Sequence, residues 1–503
     1  MDRISRARGV WLPVAVWAAT RAVVLLCVLR VLVLPGPDVT TDVSVIYQGW
    51  SGVLKTGTFP LNDVTWQYPP AAALAILSPG LLPFLDYATA FFTLILVTDA
   101  ATLALLLRAG RRAEHRPAGA WVWIAGVALL GPTAYARYDL MVTAVAVAAL
   151  FAAVRRPRVA GALIAFGALL KVWPALLLTG AALRGRRARA LWRTAAGTAA
   201  GLTLLLVAAA PGALAFLTFQ RDRGTEVESL GALVFHVARH YGWDGQVLLN
   251  YGSLEFLGPG VPFVSTVALT LSLAAVGWLF LWRVRVRELG GVRKVPSFAR
   301  RAGLAASGAC DRKAEGRPGT GCTGAIPTTR RACVPGVASQ AGLCGHPLGP
   351  GTLCEAAFTA TLLFTTTSRV ISPQYMLWLV GLGAVCVTVR AARQTLPVVL
   401  VLVATGVTLL EFPVGFAQVV ASDPWGVALL AVRNGLLVGA SLIACRRLWV
   451  STRGDGHGRA GRGRTGTVGV VRPRRAVAGA PAAPPELTGT APQPRTEGAP
   501  PSP

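Results

Sequence analysis

Asp38 and Asp42, four residues apart, share one polar loop, 35–70, with a third carboxylate, Asp63. The loop closes on Trp66-Gln67-Tyr68-Pro69-Pro70, and apolar sequence flanks it on both sides. A carboxylate at the rim of a membrane bundle can take the proton from a hydroxyl beside a lipid-borne substrate. This loop is therefore the first place to look for chemistry. The plain alternative for either acid is a solvated loop residue or a helix cap.

The elements that must hold such a loop are membrane helices. The chain is 53% hydrophobic and only 14% charged, with a mean hydropathy of +0.55. About 20 apolar residues cross a bilayer, and 11–34, 87–107, 191–210, 261–282, 375–389 with its flanks, 396–410 and 425–445 qualify. Segment 11–34 is too long for a signal-peptide core and lacks a small-residue cleavage site. The net charge of +27 does not indicate a nucleic-acid partner, because the arginines stand in short runs between spans. Such runs, at Arg108/Arg111/Arg112/Arg116, Arg184/Arg186/Arg187/Arg189 and Arg446/Arg447 among others, mark cytoplasmic loops. The loops 35–70, 218–259 and 411–424 then face outward, and both termini lie in the cytoplasm. The class is an all-α polytopic membrane protein with membrane lipids as its surroundings.

Lys171 and Pro174 interrupt an apolar stretch whose two ends, Arg158 and Arg184, are both basic. Two half-length helices, 159–170 and 174–183, meeting at Lys171-Val172-Trp173, reconcile these facts. A charge near the bilayer centre costs about 2.5–3.5 kcal/mol or more, so Lys171 is expected to face a wet cavity or an anionic partner. One crossing is also required where two apolar pieces, 71–84 and 87–107, follow each other. Arg137 stands at the outer end of a helix pair, where a structural pairing with Asp139 is one reading and contact with a phosphate another.

Two further segments carry little periodicity. Residues 283–355 are rich in Arg, Gly, Ala, Thr and Pro and hold Cys310, Cys322, Cys333, Cys344 and Cys354. Without a C-x-x-C the zinc reading is weak, and cytoplasmic disulfides are disfavoured. A disordered basic loop and an out-of-frame stretch of a GC-rich gene remain open. The run 356–367 that follows has about half the length of a span. Residues 451–503 read as a disordered tail.

The pattern Thr41-Asp42-Val43-Ser44-Val45-Ile46-Tyr47, Gly57, Pro60 and Gln67-Tyr68-Pro69-Pro70 resembles glycosyltransferase family 87. Arg137-Tyr138-Asp139-Leu140, Lys171-Val172-Trp173-Pro174, Glu228-Ser229-Leu230 and Ser372-Pro373-Gln374-Tyr375 extend the likeness. It covers roughly residues 10–282 and 356–445. The resemblance implies a GT-C-like bundle of about 10–12 membrane helices with a catalytic first outer loop. It also implies a polyprenyl-phosphate donor, commonly of mannose, and a glycolipid or glycan acceptor on the outer face of the plasma membrane.

That reaction is a single displacement needing one base, because a lipid phosphate leaves as a stable anion. The resemblance places the base at Asp42, with Asp38 as the fallback. Cations are needed at the phosphate, and Lys171, Arg137 and Arg369 are the candidates, against interfacial snorkelling as the plain reading of the arginines. Tyr68 and Tyr375 could stack on a sugar, although aromatics line every membrane interface. Glu228 lies in the second outer loop, where acceptor contacts are expected, with a plain loop acid as the alternative reading, and Gln374 belongs to the same motif as Tyr375. His236 and His240 share a helix face but find no third ligand, so no metal is expected, and no cofactor beyond the lipid-linked donor. No nucleotide-binding or hydrolase signature is present. The rival class is a transporter or flippase of an anionic lipid or sugar, for which a buried lysine and broken helices are equally apt.

Overall fold

The structure is a computed structural model describing residues 2–60, 63, 65–219, 224–291 and 349–452. Helix α1 (Asp2–Val28) leads into the polar loop, where a π-helix, Asp42–Tyr47, runs directly into α2 (Gln48–Lys55). A short pair, α3 (Ala72–Leu77) and the 3-10 turn Ser78–Leu81, precedes α4 (Tyr87–Gly110). Asp86 caps α4 by accepting from the Thr89 N–H at 3.1 Å, as expected of Asp at this position. Next come α5 (Ala118–Leu130), the 3-10 turn Gly131–Ala134, α6 (Asp139–Ala153), α7 (Pro157–Leu170), the 3-10 helix Trp173–Gly180 and α8 (Arg186–Ala209). α9 (Phe216–Phe219), β1 (Thr225–Glu226), α10 (Ala232–Arg239), β2 (Gln246–Asn250) and β3 (Ser253–Leu257) precede α11 (Val261–Gly291). After it come α12 (Pro350–Thr367), α13 (Tyr375–Thr388), α14 (Thr395–Leu409), a π-turn Leu410–Val414, α15 (Phe416–Ala421) and α16 (Pro424–Ser451).

Among the described residues, six helices are long and apolar enough to cross a membrane. They are α1 from Trp11, α4, α8, α11 to Val286, α14 with its π-turn, and α16. Five shorter apolar helices stand among them, at Ala72–Leu81, Ala118–Ala134, Asp139–Ala153, Pro157–Leu170 and Tyr375–Thr388. The architecture is all-α and polytopic. Among the described residues an antiparallel sheet in the order β1-β3-β2 departs from helix in a way that the sequence did not foreshadow.

α13 is the hub. It packs against α5, α6, α12 and α14, and every residue from Met376 to Cys386 is buried. A helix apolar on all sides belongs inside a bundle. Glycines let the neighbours close in: a Cβ at Gly126 would overlap Val380, and one at Gly381 would overlap Thr143.

The break expected at 171–173 is present. α7 ends at Leu170, Lys171 adopts an extended conformation, and Trp173–Gly180 continues as a 3-10 helix. Eight residues is long for a 3-10 element, which usually marks a constrained segment. Helix α12 departs from expectation. It begins at Pro350, so residues 350–355 complete the run read as half-length, and Cys354 and Glu355 are buried within it. α11 likewise extends past 282 to Gly291. Most of the cysteine-bearing segment, 292–348, and residues 453–503 lie outside the described residues.

Charged groups sort to the two ends. At the arginine-rich end the Arg390 Nε donates to the His115 carbonyl at 2.9 Å, and the Arg447 Nη1 donates to the Arg393 carbonyl at 2.6 Å. Arg283 donates to the Thr179 and Ala181 carbonyls. Between the ends, Arg21 of α1 and Asp99 of α4 form a buried ion pair at 2.7 Å. Trp17, Trp123 and Tyr135 all donate to the same carboxylate, at 3.1, 2.6 and 2.8 Å. A buried charge is tolerated when it is paired and hydrogen-bonded in this way. The network ties α1 and α4 to the end of α5, and reading the sequence missed it.

Candidate active site

The polar loop 35–70 is held by its own carboxylates. The Asp38 Oδ1 accepts from the Thr40 N–H at 2.9 Å and the Thr40 hydroxyl at 2.7 Å, and Asp38 also pairs with Arg30. Asp38 thereby shapes the turn that precedes the π-helix. Asp63 does similar work further on, accepting from the Trp50 Nε1 at 2.7 Å and the Thr65 N–H at 2.9 Å. Burial pushes the Asp63 carboxyl up, but the bonds from Thr65 and Trp50 outweigh it and hold the group below the ordinary range.

Asp42 is different. It opens the π-helix, where a helix N-terminus favours negative charge, and its side chain keeps 31% exposure. Its Oδ2 lies 2.6 Å from the Arg137 Nη2. Arg137 also donates through Nη1 to the Val39 carbonyl at 3.2 Å and to the Ala136 carbonyl at 2.9 Å. One guanidinium thus fixes the carboxylate, the loop that carries it and the turn before α6.

The expected Arg137–Asp139 pair is replaced by a crossed arrangement. Arg137 takes Asp42, and Asp139 takes Lys171, with Asp139 Oδ1 at 2.7 Å from Lys171 Nζ. The two side chains of Arg137 and Asp139 therefore neutralise partners from different elements. Asp139 is the first residue of α6, again at a helix N-terminus. Its Oδ1 also accepts from the Trp378 Nε1 at 2.6 Å, and its Oδ2 has no partner. Lys171 accordingly meets the anionic partner its burial required. Its ammonium sits 5.2–5.8 Å from the ring centres of Trp378, Tyr68, Tyr138 and Tyr375. Distances under about 6 Å give cation–π attraction.

The aromatic rings form two rows that meet at Lys171. Tyr375 stacks on Trp378 at 3.9 Å, and Trp378 on Trp173 at 5.3 Å. On the other side, Tyr68 meets Tyr138 at 5.3 Å, and Tyr138 meets Tyr47 at 5.9 Å. Asp42, Arg137, Tyr68, Lys171 and Tyr375 are therefore gathered into one constellation. Asp139, Trp378 and Tyr47 belong to it too, although reading the sequence gave none of them a role in chemistry. Charge accounting could have found Asp139, since a buried lysine needs an acid and Asp139 lies in a motif already singled out.

The remaining predicted residues lie beside this constellation. Glu228 is buried, and its carbonyl accepts from the Arg433 Nη2 at 2.5 Å and the Asn434 Nδ2 at 3.4 Å. Arg433 pairs with Glu411 at 2.9 Å, both fully buried. Burial, then the charges of Glu411 and Glu226, push the Glu228 carboxyl well above the ordinary range, against the pull of Arg433 and Arg137. The Arg369 carbonyl accepts from the Glu226 N–H at 3.1 Å, and Glu226 accepts in turn from the Ile371 N–H at 2.7 Å. Gln374 is half-buried at the start of α13. Arg369 and Gln374 therefore flank the segment that delivers Tyr375. Gln67 bridges to the hairpin, donating to the Tyr251 carbonyl at 2.9 Å.

His236 and His240 bind the turn at Ser422. His236 Nδ1 lies 2.8 Å from the Ser422 Oγ, and His240 Nε2 lies 2.9 Å from the Ser422 carbonyl. Among the described residues no group of three or more His, Cys, Asp or Glu is placed to hold a metal ion.

A family model, glycosyltransferase family 87, matches residues 66–299. The matched stretch carries Tyr68, Arg137, Asp139, Lys171 and Glu228, while Asp38 and Asp42 precede it and Arg369, Gln374 and Tyr375 follow it. No curated protein and no solved structure matches the chain. The transporter reading draws no support from these comparisons.

Proposed function

We propose that this chain, a membrane glycosyltransferase matched by the family 87 model over residues 66–299, transfers a hexose, mannose in the first instance, from a polyprenyl-phosphate donor. The acceptor is a hydroxyl of a glycolipid or glycan, reached from the outer face of the plasma membrane. The observation that carries the reading is the Asp42–Arg137 pair standing beside a lysine enclosed by aromatic rings.

The chemistry follows from charge and exposure. Asp42, partly exposed and fixed by Arg137, accepts the acceptor hydroxyl proton as that oxygen attacks the anomeric carbon. The bond from the anomeric carbon to the phosphate oxygen breaks, and its electron pair leaves on the polyprenyl phosphate. The proton ends on Asp42 and the configuration inverts. Arg137 pairs with the base and Lys171 with Asp139; Lys171, ringed by aromatics, is the cation proposed for the phosphate, with Arg369 as a second. Tyr68 and Tyr375 pack against the sugar ring, and Glu228 and Gln374 lie toward the acceptor. Short runs of arginine keep the opposite end of the bundle in the cytoplasm, which turns the carboxylate end outward.

The test is transfer from radiolabelled polyprenyl-phosphate mannose in membranes containing the full chain, beside polyprenyl-phosphate glucose and a nucleotide-linked mannose. Transfer from a polyprenyl-phosphate sugar alone supports the reading. Direct transfer from the nucleotide sugar, in membranes unable to make the lipid-linked form, contradicts it.

A further inference from the structure

Asp139 is 1% exposed, and its two oxygens are treated unequally. Oδ1 receives both Lys171 and Trp378, while Oδ2 receives nothing. A buried polar atom left unpaired is destabilising, and native interiors rarely tolerate one without a reason. A second orphan lies in the tyrosine row: the hydroxyl of Tyr47, itself 1% exposed. Tyr47 packs edge-on against Tyr138, the residue between Arg137 and Asp139. Two unpaired hydrogen-bonding atoms against tyrosine and tryptophan faces match a polyhydroxylated ring, whose C–H faces pack on aromatics while its hydroxyls seek acceptors. The unpaired oxygen does not itself suit a phosphate, since like charges would meet there; the phosphate of a lipid-linked sugar is left to the Lys171 ammonium on the other oxygen.

Resting on the donor class proposed above, we infer that Asp139 Oδ2 accepts a hydrogen bond from the hydroxyl next to the anomeric carbon of the donor hexose, and that Tyr47 takes a second hydroxyl. The arrangement is self-consistent, because Asp139 reaches Lys171 through its other oxygen. A sugar bonded to Oδ2 then stands next to the ammonium that the other oxygen holds. Hydrogen bonds to the 2-hydroxyl strengthen as positive charge develops at the anomeric carbon. Asp139 would thus select for sugars bearing that hydroxyl and aid the displacement.

The experiment uses the full chain in detergent and a short-chain prenyl-phosphate hexose, its 2-deoxy analogue and the sugar-free prenyl phosphate. Binding is read from tryptophan fluorescence, to which Trp378 beside Asp139 contributes. Wild type is expected to bind the hexose about tenfold or more tighter than the 2-deoxy analogue. Asp139→Asn, Tyr47→Phe and wild type should all bind the sugar-free phosphate. Asp139→Asn should lose most of the 2-hydroxyl preference, and Tyr47→Phe should weaken hexose binding while leaving that preference in place. Equal binding of hexose and 2-deoxy analogue by wild type, or an undiminished preference in a folded Asp139→Asn, overturns the assignment while leaving the donor class intact. Failure of wild type to bind any prenyl-phosphate compound removes the donor class, and the assignment falls with it. The wild-type comparison needs no variant and stands even if Asp139→Asn does not fold.

Discussion

Arg137 Nη2 lies 2.6 Å from Asp42 Oδ2, joining the first polar loop to the turn that starts α6. The two residues come from segments 95 positions apart, and the same guanidinium also holds the backbone carbonyl of Val39. Fixing a carboxylate from both the side chain and the loop beneath it is what a positioned base requires. The neighbouring pair, Asp139 with Lys171, repeats the device and leaves an oxygen to spare.

Arg137→Lys keeps the charge but cannot serve Asp42, Val39 and Ala136 from one planar fork. The account expects normal expression and a fall in kcat of about a hundredfold, measured as sugar transfer per folded protein. A variant within twofold of wild type would show that the loop positions Asp42 without Arg137.

Arg433 and Glu411 form the second buried pair, at 2.9 Å with both side chains fully enclosed. Removing one partner leaves an uncompensated buried charge, at a cost of about 3–5 kcal/mol. Arg433→Met and Glu411→Leu should each melt well below wild type in detergent. The double variant should melt closer to wild type than either single one, since contacting residues couple. Additive losses would mean that the pair is not the interaction that matters there.

Glu228 makes stability depend on pH in a defined direction. Its carboxyl is raised by burial and by the charges of Glu411 and Glu226, while Arg433 and Arg137 pull the other way. The folded protein therefore favours the neutral acid. That contribution is complete below the unfolded value of about 4.3 and is lost as pH climbs from there through the raised folded value. The melting temperature of wild type should fall over this interval relative to Glu228→Gln, which mimics the neutral acid and should be flatter. Parallel curves for the two proteins would contradict it.

Much of this arrangement was legible in the sequence, for reasons that differ by element. The spans follow from apolar length, and the break at Lys171 follows from a charge that hydrocarbon cannot host. Lys171 stood out by the same logic, and Asp42 through the resemblance of its polar loop to the family pattern. Their partners did not, because ion pairing across 32 or 95 residues is decided by packing that composition does not encode. The Arg137–Asp139 expectation erred by choosing the local partner, whereas helix geometry sends each side chain to a different element. Arg21 and Asp99 were invisible as a pair for the same reason. The start of α12 was misjudged because Pro350-Gly351-Thr352 lacks apolar character, yet Pro suits the first position of a helix.

The central claim is that Asp42 is the base, and the most direct measurement is sugar transfer in membranes from radiolabelled polyprenyl-phosphate mannose by wild type, Asp42→Asn and Asp38→Asn. The account predicts a loss of about 10²–10⁴-fold for Asp42→Asn at normal expression. Asp38→Asn should lose less, because its carboxylate serves the turn at Thr40. Transfer that survives Asp42→Asn but disappears with Asp38→Asn would contradict the assignment and move the base four residues upstream.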